Sequence, residues 1–213
     1  MSRRSKAPRG SSKQGLVLVV SGPSGAGKTT LLRRVLERDE RLRFSVSHTT
    51  RRPRPAEVEG EDYFFVTPEE FRRLADARSF LEWAEYQGNL YGTSRGAVEE
   101  ALAADHDVLI EVEVKGAKQI RERMPESVSV IVLPPSFDTL GRRLRERASD
   151  TEEVIQKRLE IAREEIREAE DYSYVLINED LERAVADLER IISVARLRPQ
   201  HVLPEWWNRS EVD

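Results

Sequence analysis

A glycine-rich segment ends in a single lysine, at a spacing that is typical of phosphate binding. Residues Gly22 to Thr29 read GPSGAGKT and match G-x-x-x-x-G-K-[ST] at every fixed position. Glycines let successive backbone N–H groups turn inward around an anion, and the start of the following helix adds partial positive charge. Lys28 is expected to reach the β- and γ-phosphates, and Thr29 offers a hydroxyl to Mg²⁺.

The surroundings of this segment favour a nucleotide site over an incidental glycine-rich turn. The apolar run GLVLVV precedes it and a helical pattern follows it, which is the context that the motif requires. The N-K-x-D sequence by which GTPases read guanine does not occur. We therefore predict a nucleoside triphosphate site, with ATP as the expected ligand. The predicted ATP-binding residues are Gly22, Pro23, Ser24, Gly25, Ala26, Gly27, Lys28, Thr29 and Thr30.

Two later segments carry side chains that suit a second nucleotide. Arg51 and Arg54 lie beside prolines that stiffen their loop, and a guanidinium can hold a phosphate through two parallel hydrogen bonds; a solvated basic loop is the open alternative. Glu82 stands between Leu81 and Trp83 in a strand pattern, so alternation turns its carboxylate away from both. A carboxylate that faces a cavity can accept from N1–H and the 2-amino group of guanine, a donor edge that adenine lacks.

Further acids and arginines are placed where phosphates could meet them. In LIEVEV, Glu111 and Glu113 are predicted to share one side of a strand that ends at Val114. The carboxyl end of a parallel strand is where ligands bind, although a solvated acidic edge is the alternative. Arg143 and Arg147 are one helical turn apart. Arg158 falls inside an apolar helical arc, where a cation needs an anionic partner or must reach outward; the arc is Val154, Ile155, Leu159, Ala162 and Ile166.

The elements that must position these residues alternate along the chain. Buried strands are predicted at GLVLVV, DVLIEVEV, VSVIVL and YVLIN. Helices are predicted between and after them, over 94–104, 116–123, 136–147, 152–169 and 180–195. This order predicts an α/β fold in three layers, with a parallel sheet as the core. The region 44–93 breaks the rhythm with short alternating strands and one short helix, which indicates a small mixed insertion.

Taken together, these segments resemble guanylate kinase over nearly the whole chain from Gly15 to about Arg198. The resemblance is carried by SGPSGAGKTT, SVSHTTRRPRPAEVEGEDYFF, FLEWAEYQGNLYGTS, KGAKQIRERMP, LPPS and the LINED segment that contains Asn178. It implies transfer of the γ-phosphoryl group of ATP to GMP, giving ADP and GDP, with Mg²⁺ bound alongside ATP. It also implies a P-loop core over 15–45, 94–135 and 159–198, a GMP-binding insertion over 46–93 and a helical lid over 136–158. Use of dGMP is left open.

The resemblance assigns roles residue by residue. It implies that Ser47 contacts the O6 side of guanine and that Glu82, Thr93 and Glu113 complete the guanine pocket. The GMP phosphate is expected to contact Arg51, Arg54, Tyr63 and Tyr91. Lys28, Arg143, Arg147 and Arg158 are expected to surround the transferred group as catalytic residues, with Thr29 and Glu111 near Mg²⁺. The family often has aspartates where this chain has Glu111 and Glu113, so the contacts of these two longer side chains stay open.

Composition limits the other functions that the chain could have. The net charge of −4 does not favour nucleic-acid binding, and the absence of cysteine excludes disulfide and thiolate chemistry. No apolar run reaches membrane-spanning length and no secretory segment is recognised, so the cytoplasm is the expected location. The basic segment 1–14 is predicted to be a disordered tail, and 199–213 a C-terminal tail. Monomer and homodimer remain alternatives, as do a kinase of another nucleotide and a non-catalytic binding module.

Overall fold

The central sheet contains five strands, all parallel. A computed structural model describes residues 15–86, 88–146 and 151–209. In order across the sheet, the strands are β2 (Leu42–Phe44), β7 (Asp107–Glu111), β1 (Val17–Ser21), β8 (Val128–Leu133) and β9 (Tyr174–Ile177). Parallel neighbours need long crossover connections, which the helices provide. The predicted α/β fold with a parallel core sheet is confirmed, and β2 is a strand that the sequence interpretation did not identify.

A second, mixed sheet of four strands is formed by the chain between β2 and α3. Its order is β4 (Tyr63–Phe65), β3 (Ser47–Thr49), β6 (Asn89–Ser94) and β5 (Phe80–Tyr86). The pair β3–β4 is parallel, whereas β3–β6 and β5–β6 are antiparallel. Helix α2 (Pro68–Asp76) lies between β4 and β5, and its N-cap Thr67 accepts from the backbone N–H of Glu70. This sheet confirms that a small mixed sheet accompanies the core.

The remaining helices cover the core sheet and extend beyond it. They are α1 (Lys28–Arg38), α3 (Arg95–Ala103), α4 (Val114–Arg123), α5 (Phe137–Glu146), α6 (Glu152–Arg167), α7 (Leu181–Ala195) and α8 (Pro199–Arg209). Helix α8 occupies part of the segment that the sequence interpretation treated as a tail. None of the helices within the described ranges is long and apolar enough to cross a membrane.

The side chains of β1 explain why its sequence is apolar without alternation. Leu18 and Val20 pack in one buried cluster with α1 and α7, while Val17 and Val19 pack in another with α3 and α4. Both faces of the strand are therefore covered, and burial favours apolar residues at every position. Helices α5 and α6 form a third, smaller cluster with each other; its members are Leu140, Leu144, Ile155, Leu159 and Ala162.

A buried charged cluster ties the amino ends of the core strands together. The Asp107 carboxylate accepts from the backbone N–H of Leu16 at 2.7 Å, from Arg196 at 2.6 Å and from Arg41 at 3.3 Å. Arg196 also pairs with Asp39 at 2.7 Å. A buried carboxylate is tolerated only when its lone pairs are satisfied, so this cluster serves to join β1, β7 and α7.

One predicted element is wrong in its extent. The sequence interpretation continued the strand to Val114 and placed Glu111 and Glu113 on one side of it, but β7 ends at Glu111 and Glu113 is the N-cap of α4. The reason is pairing: Glu111 is opposite Val20, and the partner strand β1 ends one residue later at Ser21. Without a neighbour to continue the ladder, the chain turns into a helix.

Candidate active site

The phosphate loop connects β1 to α1 in a conformation that favours glycine at three positions, Gly22, Gly25 and Gly27. Gly22 has a φ of 136° and Gly27 a φ of 87°. A Cβ on Gly22 would also lie 2.2 Å from the carbonyl oxygen of Val132 in β8. Lys28 is the first residue of α1, and its Nζ donates to the carbonyls of Gly22 at 2.6 Å and Pro23 at 3.2 Å. The lysine ammonium therefore lies directly over the loop.

Asn178, directly after β9, holds this loop in place. Its Nδ2 donates to the carbonyl of Ala26 at 2.8 Å, and a Cβ on Gly27 would come within 2.4 Å of the same nitrogen. Arg143 from α5 donates to the backbone carbonyl of Asn178 at 3.2 Å and lies 3.5 Å from the carbonyl of Ala26. We did not identify Asn178 as a site residue from the sequence, although a polar residue at the carboxyl end of a buried strand is a signal.

Four of the residues predicted to bind GMP, the phosphoryl acceptor, form one row across the small sheet. We call this row the acceptor row and the face that carries it the acceptor face. Tyr63 is opposite Ser47, Ser47 is opposite Thr93, and Thr93 is opposite Glu82, so all four side chains emerge on one face. Tyr91 lies two residues before Thr93 and projects from the same face. The rings of Tyr63 and Tyr91 meet edge to face, 6.0 Å apart. Residues from three separate sequence blocks are thus brought together.

Glu82 is the buried acid of this row. It is only 4% exposed, and Thr93 Oγ1 donates to its Oε1 at 2.7 Å. Burial raises the pKa of Glu82, and the hydrogen bonds from Thr93 oppose this shift. On its other side, a Cβ built on Gly116 of α4 would lie 2.6 Å from Oε2. The carboxylate is therefore enclosed between β6 and the first turns of α4.

The strand around Glu82 carries an irregularity that the sequence interpretation did not anticipate. Phe80 is opposite Ser94, but Glu82 is opposite Thr93, so Leu81 is the extra residue of a β-bulge. Trp83 takes the face opposite Glu82, as predicted. Leu81 instead packs in the cluster on the α3 and α4 side of the core sheet. The bulge lets β5 bury Leu81 and Glu82 in succession.

Glu57 organises the loop that carries Arg51 and Arg54, here called the arginine loop. Both oxygens of Glu57 accept from the Arg51 guanidinium, at 2.7 and 3.0 Å, and Glu57 also accepts from the backbone N–H of Arg54 at 2.8 Å. The Arg51 hydrogen bonds lower the pKa of Glu57. Arg51 lies 5.3 Å from the ring centre of Tyr63, which places it at the acceptor face. The role of Glu57 was missed, because it is one of four acids in residues 57–62 and the sequence does not show which of them pairs with Arg51.

His48 lies on the opposite face of the small sheet. Its ring packs 4.9 Å from that of Phe64 and 5.5 Å from that of Phe80. Burial lowers the pKa of His48. The imidazole is therefore part of the support beneath the acceptor face.

Carboxylates from three elements converge between the loop and the acceptor row. Glu111 is the last residue of β7. Burial raises the pKa of Glu111, the positive charge of Lys28 lowers this pKa, and the negative charge of Glu113 raises it. Glu165 of α6 is hydrogen-bonded to Glu113, and burial together with the charge of Glu113 raises the pKa of Glu165 to about 7. Glu165 was not identified from the sequence, because nothing local indicates that α6 reaches the start of α4.

The arginines that the sequence assigned to a lid are only partly described. Arg143 contacts the phosphate loop through the carbonyl of Ala26, and Arg147 lies outside the described residues. Arg158 is half-buried on α6. Burial raises the pKa of Tyr86, while Glu113 raises it further and Arg158 lowers it. Arg158 therefore acts on the same part of the molecule as Glu113, at the end of β5.

Comparisons with known proteins agree closely with one another. A family profile described as guanylate kinase matches residues 14–195. The chain is 47% identical to a guanylate kinase of Geobacter sulfurreducens over 191 residues, which is 90% of this chain and 94% of the relative. It is 49% identical to one of Chelativorans sp. over 187 residues, which is 87% of this chain and 86% of the relative. The crystal structure of guanylate kinase from Anaplasma phagocytophilum has a TM-score of 0.75 at 33% identity and covers 94% of this chain and 96% of its own.

Proposed function

Since this chain belongs to the guanylate kinase family, we propose that the phosphate loop and the small sheet are the two substrate sites of one reaction. In that reaction the γ-phosphoryl group passes from ATP to GMP, giving ADP and GDP. The observation that carries the assignment of the sites is the row from Tyr63 to Glu82, which presents a buried carboxylate and hydroxyl groups on one face. The proposed divisions are those of the sequence interpretation, with 46–93 as the GMP-binding insertion and 136–158 as the lid.

Guanine would be read by Glu82 from the end of the row, on the edge strand β5. Oε1 already accepts from Thr93, and each carboxylate oxygen can accept more than one hydrogen bond. N1–H and the 2-amino group of guanine can therefore donate to it, and Ser47 in the same row is suited to O6. Adenine would leave the buried carboxylate facing an acceptor, and sites built on such hydrogen bonds discriminate by about 10⁴–10⁵. Glu113 is proposed to contribute from the N-terminus of α4.

The phosphate of GMP would lie against the arginine loop. Arg51 is held in position by Glu57, which reduces the ordering needed when phosphate binds. Arg54 is proposed to supply the second guanidinium. Tyr63 and Tyr91 are proposed to donate hydrogen bonds from their hydroxyl groups. The second pKa of a phosphate monoester is about 6, so GMP is mostly a dianion at neutral pH. It needs no general base, in keeping with the position of His48 on the opposite face.

The transfer would then depend on positioning and on neutralisation of charge. Lys28 lies at the loop, and Arg143 is held beside it by the carbonyls of Ala26 and Asn178. Arg158 and Arg147 are proposed to join them around the moving phosphoryl group. Preorganised cations stabilise the charge of the transition state. Closure of the lid over both nucleotides would exclude water that could otherwise take the phosphoryl group.

Mg²⁺ is the metal that this site would take with ATP. Thr29 offers a hydroxyl and Glu111 a carboxylate, and Mg²⁺ prefers one or two such protein oxygens together with substrate phosphates. Burial raises the pKa of Glu111, and a bound cation would lower that pKa again by favouring the ionised carboxylate. When bound, the ion supplies positive charge at the β- and γ-phosphates.

A panel of acceptors tests the assignment. With Mg·ATP, GMP is expected to be the best acceptor, followed at a distance by AMP, CMP and UMP; dGMP belongs in the same panel. Lys28→Ala should abolish most turnover, and Glu82→Gln should raise the KM for GMP far more than the KM for ATP. Equal turnover of AMP would contradict guanine recognition, and full activity of Lys28→Ala would contradict the role of the loop. We propose that the reaction takes place in the cytoplasm and that the enzyme is a monomer or a homodimer.

A further inference from the structure

Glu82 lies on β5, a strand that has no partner strand on its outer side. β5 is the edge of the small sheet, with β6 as its only strand neighbour among the described residues. Carbonyl groups on the free side of an edge strand need other donors. Here α4 supplies them: Gln119 Nε2 donates to the carbonyl of Trp83 at 3.1 Å, and Arg123 Nη1 donates to the carbonyl of Leu81.

These two hydrogen bonds flank Glu82 in the sequence. Leu81 is the bulge residue, and a bulge leaves its residues outside the regular ladder. The Arg123 guanidinium therefore holds the point at which the strand changes register just before Glu82. Gly116, Gln119 and Arg123 are spaced by three and four residues, so they lie along one face of α4. That face meets the Glu82 carboxylate, the Trp83 carbonyl and the Leu81 carbonyl in turn.

We propose that Arg123 is a positioning residue for guanine recognition, acting through the Leu81 carbonyl to fix the direction of the Glu82 carboxylate. The inference rests on the proposed role of Glu82 in the acceptor site. The positive charge of Arg123 also lowers the pKa of Glu82 against the effect of burial. The same guanidinium thus sets the orientation of the carboxylate and favours the ionised form that accepts from guanine.

The first test is the variant Arg123→Met, which keeps an unbranched side chain and removes the donors. A hydrogen bond from a charged group is worth enough that its loss is expected to raise the KM for GMP about tenfold or more. The KM for ATP should stay within about twofold, because the phosphate loop is untouched. Arg123→Lys, which keeps a cation and a donor, should recover most of the loss. Lys118→Met removes a cation from an exposed position of the same helix and should change neither KM.

A second variant reaches the carboxylate without touching Arg123. Gly116→Ala would place a Cβ 2.6 Å from Oε2 of Glu82, so the carboxylate must move. Alanine is favoured over glycine inside a helix, so this variant is expected to fold as well as the parent chain. It should raise the KM for GMP and spare that for ATP, and it tests the idea even if Arg123→Met does not fold.

The background variant Glu82→Gln separates the two proposals. If Arg123 acts through Glu82, adding Arg123→Met to Glu82→Gln should raise the KM for GMP little further. Full additivity in the double variant, equal rises of both KM values in Arg123→Met, or an unchanged KM for GMP in either Arg123→Met or Gly116→Ala would overturn the positioning role while leaving that of Glu82 intact. An unchanged KM for GMP in Glu82→Gln itself would instead overturn the role of Glu82, and the positioning role with it.

Discussion

The hydrogen bond between Asn178 and the Ala26 carbonyl should contribute measurably to ATP affinity. Asn178→Ala removes the Nδ2 donor 2.8 Å from a buried carbonyl, and an unsatisfied buried acceptor costs about 1–3 kcal/mol. Arg143 lies 3.5 Å from the same oxygen and can compensate in part. We therefore expect a loss of about 1–2 kcal/mol, which corresponds to ATP binding about 5–30-fold more weakly. The Asn178 backbone carbonyl remains available to Arg143.

Titration calorimetry with ATP and with GMP measures this loss directly. The GMP affinity should be unchanged, because the acceptor row does not contact Asn178. Leu176→Ala is the matched control: Leu176 is buried in β9, the strand that Asn178 follows, and its truncation should cost about 2–5 kcal/mol of stability through a cavity. That control should bind ATP normally wherever it is folded. Normal ATP affinity in Asn178→Ala, or an equal loss in Leu176→Ala, would refute the view that Asn178 holds the loop.

Three further perturbations address other parts of the site. Glu57→Gln should raise the KM for GMP about three- to tenfold by releasing Arg51 from its two charged hydrogen bonds; a lower KM in steady-state assays would mean that Glu57 mainly screens the arginine. The pKa of Glu165 is raised from 4.5 to about 7, so its contribution to stability is full below pH 4.5 and is lost as the pH rises through 7. Urea unfolding between pH 5 and 8 should show this loss in the parent chain and not in Glu165→Gln. The same pH dependence in both proteins would contradict the raised pKa of Glu165. Arg158→Ala should lower kcat about a hundredfold or more with nucleotide dissociation constants nearly unchanged, whereas normal turnover would remove Arg158 from the reaction.

Local sequence patterns predicted the phosphate loop and the face of its strand on which Glu82 lies, whereas the proposed roles of Ser47, Tyr63, Tyr91 and Thr93 came from the resemblance to a family. The motif at Gly22–Thr29 includes its own structural context, and the alternation around Glu82 predicted a carboxylate turned away from Trp83. What the sequence could not provide was pairing between distant segments. The end of β7 at Glu111 depends on where β1 ends, and the bulge at Leu81 depends on the register with β6.

The supporting residues were missed for a similar reason. Asn178 is separated from Ala26 by 152 positions in the sequence, and Glu165 interacts with Glu113 only because the tertiary fold brings α6 near the start of α4. Glu57 is close to Arg51 in sequence, but its bidentate geometry depends on the turn between them. Predictions from single residues identify groups whose chemistry suits a substrate more readily than the groups that hold them in place.

The Asp107 cluster allows heat tolerance to be adjusted separately from chemistry. Its inner members are two carboxylates, Asp107 and Asp39, and two guanidinium groups, Arg41 and Arg196, whose charges cancel. The more exposed Asp105 lies 3.8 Å from Arg41 at the rim of the cluster. It lies at the amino ends of the strands, whereas the phosphate loop lies at the carboxyl end of β1, five residues away, or about 16 Å. A compensated cluster at that distance exerts little field on the transferring phosphoryl group. Substitutions that strengthen or weaken it can therefore move the working temperature of the enzyme without altering its choice of nucleotide.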